Sequence, residues 1–231
     1  MLRRIIALNN MGVESLRCGN LHDAARLFRH GVETVKTSLG NARGAANGES
    51  SNNNAPVGSP LIRCPLEFFP EANIRNASAH NSFEIFPCAF GLHWSIDQFS
   101  TRNAAPEILV TMLFNLGLTH HLAGFLGQGN ARENLAKALS HYKRCMDIFD
   151  SCSLEFIFDF SFCALLCGNC TNSGHILSHV GRFPEAVAFS EYLETLLEST
   201  ACTTDLTEEE NDFFYTVMYS TKHSCNVAAA A

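Results

Sequence analysis

The chain has 231 residues, a hydrophobic fraction of 46 %, 18 Phe and one Trp. That much apolar material builds a packed core and excludes a wholly disordered chain. The formal net charge of −7 excludes a general nucleic-acid binder, whose affinity comes from neutralising phosphates.

Charge is spread unevenly. Residues 1–36 carry six Arg or Lys against three acids, whereas Phe183 to Thr221 holds nine acids and no Lys, Arg or His. The acidic stretch reads as a solvated face, with a docking surface for a basic partner as the alternative. The 10 Cys mostly sit inside apolar helical patterns, as Cys145 and Cys163 do. Free buried thiols in a reducing compartment fit this better than a disulfide framework, which points to the cytoplasm, with the nucleus as the alternative. Met1 to Ile6 has two arginines but no apolar run after them, so no secretory signal is read. The lack of acids before Glu14 leaves a mitochondrial presequence as a lesser reading. No stretch approaches the roughly 18 apolar residues of a membrane span, so no membrane partner is expected.

In chain order, the first element is a helical pair in residues 1–38. Asn9 to Arg17 and Leu21 to Gly31 have helical apolar periods on either side of Gly19. Residues 39–60, rich in Gly, Asn, Ala and Ser, have no apolar period and read as a flexible loop. Residues 61–104 form an aromatic insertion. In it Pro65-Leu-Glu-Phe-Phe-Pro and Ser82-Phe-Glu-Ile-Phe-Pro-Cys-Ala-Phe predict two strands of a hairpin. An isolated hairpin is marginal in water, so this one must lean on the helices or cover part of their surface. Residues 105–150 and 160–200 predict two more helical pairs. Residues 205–228 predict a terminal helix opened by Thr207 as N-cap with Glu210 as its capping-box partner.

The three pairs share a layout. Gly12, Gly117 and Gly174 recur in the first helices, and Ala24, Ala138 and Ala186 in the second. Gly inside a helix costs about 1 kcal/mol against Ala, so the recurrence predicts close helix approach, each Gly against the matching Ala. Gly19 and Gly181 predict helix C-termini. On these residues, with Phe28 and Tyr142 at the aromatic position, the chain resembles the tetratricopeptide repeat family. The likeness covers about half the chain. Ser190 departs from the aromatic position, the consensus Trp and closing Pro are absent, and Gly124 to Asn134 widens the second pair. The resemblance implies an all-α array of helical hairpins, an alpha-alpha superhelix, with one irregular or β-hairpin insertion.

The resemblance further implies a concave groove lined by the first helices. Asn10, Asn115 and Asn172 fall at one equivalent position, two residues before the Gly. An amide both donates to and accepts from a peptide backbone, so three in register predict either a ladder that grips an extended segment or amides that merely bond a neighbouring helix. Asn9, Val13, Leu118, His121, His175 and His179 are expected on the same face, with binding sensitive to pH between about 6 and 7.5 as the histidines lose charge. The Lys and Arg set of chaperone-tail-binding members is missing, which argues against an acidic chaperone tail as ligand.

Two other motifs carry less. Cys167-Gly-Asn-Cys170 with His175 and His179 has zinc-like spacing, but on a helix these residues point across about 180° of its surface. Gly124-Phe-Leu-Gly-Gln-Gly-Asn lacks the preceding strand and the Lys-Ser or Lys-Thr pair of a phosphate loop. The expected function is a non-catalytic scaffold that binds an extended segment of another protein, without metal, cofactor or small-molecule substrate. The alternatives are a structural or regulatory module whose groove is filled by its own insertion and, more remotely, a Cys/His metal or redox protein.

Overall fold

A computed structural model describes residues 1–42, 61–66, 84–93, 105–151 and 162–229. In chain order these form α1 (Leu2–Arg17), α2 (Leu21–Ala42), β1 (Leu61–Pro65), β2 (Cys88–Leu92), α3 (Ala105–Phe125), α4 (Ala131–Ser151), α5 (Cys163–His179), α6 (Phe183–Leu197), α7 (Thr200–Asp205) and α8 (Glu208–Ala229). The chain is therefore mostly helical with one small sheet. The first hairpin extends further than read, since α2 runs to Ala42. Of the expected loop, 43–60 lies outside the described residues.

Short turns join α1 to α2, α3 to α4 and α5 to α6, and each pair packs together. The turns follow from local chemistry. Gly19 and Gly181 adopt φ of 74° and 78°, a conformation that Gly enters without a Cβ penalty and that ends a helix. Asn20 Oδ1 accepts from Asp23 N at 3.2 Å at the start of α2. Thr207 and Glu210 exchange side-chain-to-backbone bonds at 3.2 and 2.9 Å, which is the expected capping box.

Close approach occurs at Gly12 and Gly117, but the facing group differs from the expected Ala. A Cβ on Gly12 would lie 2.6 Å from the Phe28 ring, and one on Gly117 would lie 2.7 Å from the Tyr142 ring. The aromatic position of the second helix therefore lies across the glycine, and Ala24, Ala138 and Ala186 are simply buried beside it. In the third pair Ser190 replaces the ring. Its hydroxyl reaches Met218 O of α8 at 3.3 Å, so the terminal helix packs where a ring stands in the other pairs.

Burial does not follow the amphipathic reading everywhere. α1 and α4 bury one stripe each, Ile5, Asn9, Gly12, Val13 and Leu16 in α1, and Leu135, Ala138, Tyr142, Cys145 and Phe149 in α4. By contrast α5 is buried at every residue from Cys163 to Ser178, and α3 on all sides from Val110 to Leu122. α3 is also long and apolar enough to cross a membrane, contrary to the sequence expectation, with a mean hydropathy of 1.4, although 89 % of that stretch is buried inside the protein.

The reason for burial on all sides is the insertion. β1 and β2 pair antiparallel, Leu61 opposite Leu92 and Pro65 opposite Cys88, as a hairpin reading expects. The strands are shifted from the expected segments. The first ends at Pro65 rather than beginning there, and 67–70 and 82–83 lie outside the described residues. β2 is buried at all five residues and packs on α1 and α3.

Candidate functional site: an asparagine-lined groove

Residues 84–93 run as an extended segment across α5, α3 and α1 in turn. α5 and α3 each present one asparagine to it, and α1 presents two. Phe86 N donates to Asn172 Oδ1 at 2.8 Å, and Asn172 Nδ2 donates back to Phe86 O at 3.4 Å. Phe90 N donates to Asn115 Oδ1 at 2.9 Å, and Asn115 Nδ2 returns to Phe90 O at 2.8 Å. Leu92 N donates to Asn10 Oδ1 at 2.8 Å, with Asn10 Nδ2 to Leu92 O at 2.9 Å. Asn9 Nδ2 adds a bond to Phe90 O at 3.0 Å, and its Oδ1 accepts from Asn115 Nδ2 at 3.0 Å. The amide orientation is fixed by its partners, since the oxygen must meet N–H and the nitrogen must meet C=O.

The expected amide ladder is thus brought together, and its occupant is the chain's own strand. Alternation explains how a buried strand satisfies both edges. Even-numbered Phe86, Phe90 and Leu92 turn their backbone groups to the asparagines, while Leu66 N donates to Pro87 O at 2.9 Å on the β1 side. Buried backbone groups must be paired, and here asparagine side chains pair Phe86, Phe90 and Leu92 on one edge.

Side chains fix the register. The Phe86 ring sits 4.8 Å from the Phe214 ring and 5.7 Å from that of Phe213, both on α8, and packs over Gly168 of α5, where a Cβ would collide with it. Phe90 meets Phe114 edge-on at 5.3 Å. Behind the strand, Arg63 of β1 donates to Asp205 O at 2.7 Å and ion-pairs with Asp205 and Glu210 at 3.1 and 2.8 Å. This ties the outer strand to the α7–α8 corner. Phe86, Phe90, Gly168 and Arg63 were missed from sequence as site residues. The aromatic spacing of the insertion was their available signal.

The other expected groove residues take different roles. Val13 and Leu118 are core residues. His121 Nε2 and His175 Nδ1 share a 3.0 Å hydrogen bond, and His121 Nδ1 lies 3.3 Å from the Tyr142 hydroxyl. Phe125 packs against His175 at 4.6 Å and His179 at 4.8 Å. Burial, with the neighbouring histidines second, pushes His121 well below the usual histidine range and His175 to about 3. Both rings are therefore neutral near pH 7, and a charge change between pH 6 and 7.5 does not occur on them.

Cys167 and Cys170 lie on α5 with His175 and His179, as the helical reading placed them. Burial raises the Cys167 and Cys170 thiols. Cys163 and Cys167 hydrogen-bond Cys202 of α7, which favours the thiolate on Cys202 over the other two. Among the described residues, no group of three or more His, Cys, Asp or Glu has the arrangement to hold a metal ion. Comparison with protein-family models, curated proteins and solved structures gave no match.

Proposed function

We propose that this chain is a non-catalytic, tetratricopeptide-like interaction module whose peptide groove is filled in cis by its own strand 84–93. One observation carries the reading: three asparagines at equivalent places on three helices each bind both backbone groups of one strand residue. That is the chemistry by which an extended segment is held without its side chains being read. With the groove closed, the module is a rigid scaffold, and partner proteins meet its outer faces. A second reading has a partner's segment take the strand's place, because amides that bind only backbone accept any extended chain.

Hydrogen exchange separates the two. In the cis-filled module the Phe86 and Phe90 amides exchange as slowly as the amides of α3, and a synthetic peptide of residues 84–93 added in excess does not bind. Uptake of that peptide, with faster exchange at Phe86 and Phe90 than in α3, would establish exchange of the strand and overturn the closed groove.

A further inference from the structure

The turn between α3 and α4 departs from the other two. Three residues join α1 to α2 (18–20) and α5 to α6 (180–182), whereas five, Leu126 to Asn130, join α3 to α4. The wider turn opens a cavity of about 500 Å³ between itself, α2 and α3. On α2, His22, Arg26 and Arg29 line it at spacing i, i+4, i+7, which places them on one stripe of the helix. Thr119, His120 and Ala123 of α3 face them, and Leu21 and Ala25 add an apolar wall.

No carboxylate lines this cavity, in a chain whose net charge is −7. Arg26 pairs with Asp23 at 3.3 Å, both side chains exposed, while Arg29 makes no ion pair among the described residues. Lys137 approaches from α4, bridged to Glu133. Burial is the main cause that disfavours charge on His120, with Lys137 and Arg29 adding to it and the Asn134 hydrogen bond and Glu133 opposing it. The site is also built in advance. Asn134 Nδ2 donates to Gln128 O at 2.8 Å and its Oδ1 meets His120 Nδ1 at 3.2 Å, which ties the turn to the His120 ring.

We propose that this cavity is a binding site for a phosphate monoester carrying an apolar body. The volume suits a small ligand or one large side chain. Two guanidiniums from successive turns of α2 match a dianion, since each binds phosphate oxygens through paired N–H groups. The apolar wall takes the body. A free small phosphate and a phosphorylated aromatic side chain on a partner protein share this chemistry.

Isothermal titration of the full chain tests it with two probes, phenyl phosphate and a tyrosine-phosphorylated peptide. The variants are wild type and the Arg26→Gln, Arg29→Gln double substitution. We expect both probes to bind wild type, benzyl alcohol not to bind, and the double variant to bind at least about tenfold more weakly with an unchanged melting curve. A peptide bound at least about tenfold tighter than phenyl phosphate assigns the ligand to a partner protein; equal or weaker peptide binding assigns it to a free small molecule. Absence of binding by both probes at millimolar concentration, or equal affinity in the double variant, overturns the proposal. Neither outcome bears on whether the groove is closed.

Discussion

Asn115 makes three hydrogen bonds at the groove, two to Phe90 and one to Asn9. It is fully buried, as is Asn172, whereas Asn10 is exposed. Water cannot replace a lost partner at the first two positions, so a deletion there orphans buried backbone groups, each costing about 1–3 kcal/mol. Asn115→Ala should therefore destabilise by about 2–5 kcal/mol, Asn172→Ala by less because its second bond is long, and Asn10→Ala least. Urea melts rank the three; equal small losses at all positions would mean that the strand is not held by these amides. The burial of Asn115 and Asn172 makes these amides part of the core rather than a water-exposed groove face.

The His121–His175 pair makes a second residue-scale prediction. Both rings have folded pKa values below their unfolded ones, so below about pH 6.5 the unfolded chain binds more protons than the folded one. Stability is then full above about pH 6.5 and falls as pH drops, by about 2 kcal/mol per fully buried ring at pH 5. For His175 the fall continues to about pH 3. His141, pushed down to about 4 mainly by burial, adds a smaller share because it is partly exposed. Chemical melts at pH 7 and 5 should show this loss in wild type and a clearly smaller one in His121→Asn, His175→Asn. An equal loss in both proteins would place the acid sensitivity elsewhere.

At the scale of elements, the hairpins were legible because their signals are local. A small residue one turn from an aromatic, a Gly past the last helical position and a Thr-x-x-Glu at Thr207 each act within a few residues. What was not legible was which face each helix buries. α3 and α5 carry Asn, Thr, Ser and His among apolar residues, and the period suggests a polar groove face. In the structure that face meets the strand, and pairings such as Asn172 with Phe86 span 86 residues. Only tertiary packing decides such a contact. Gly168 shows the same limit. It is not one of the recurring glycines, yet Phe86 fills the space a side chain would need. Gly168→Val should displace that ring and raise amide exchange at Phe86 more than at Leu92; uniform exchange along the strand would show that the ring simply shifts. Ala186 of α6 is fully buried in a cluster with Leu177 of α5 and Val217 of α8, so Ala186→Leu should cost about 1–3 kcal/mol by overpacking, read by thermal melts.

Across the whole molecule, the charge asymmetry follows the order of the hairpins. The basic excess of residues 1–36 lies on α1 and α2, while the acids of 183–221 lie on α6, α7 and α8. Two of those acids, Asp205 and Glu210, are not a solvated face but hold Arg63. Of the other seven, six fit the solvated reading, since Glu185, Glu191, Glu198, Glu208, Glu209 and Asp212 are exposed, while Glu194 is half-buried. The fold class could thus be read from the chain, as could the asparagine positions. The insertion as occupant of the groove is only the second reading of the sequence, because its aromatic pattern says that it packs but not where.

The direction of the strand sets an order of assembly during synthesis. Leu92 meets Asn10, Phe90 meets Asn115 and Phe86 meets Asn172. A growing chain therefore emerges with the strand complete and only the α1 asparagines in existence, Asn10 for Leu92 and Asn9 for Phe90 O. The second clamp follows 23 residues after Leu92 and the third 57 residues after that. Closure proceeds backwards along the strand, from Leu92 towards Phe86, and finishes only when α5 has left the ribosome. Until then the Phe86 end lacks its asparagine partner and leaves apolar surface open to misfolding.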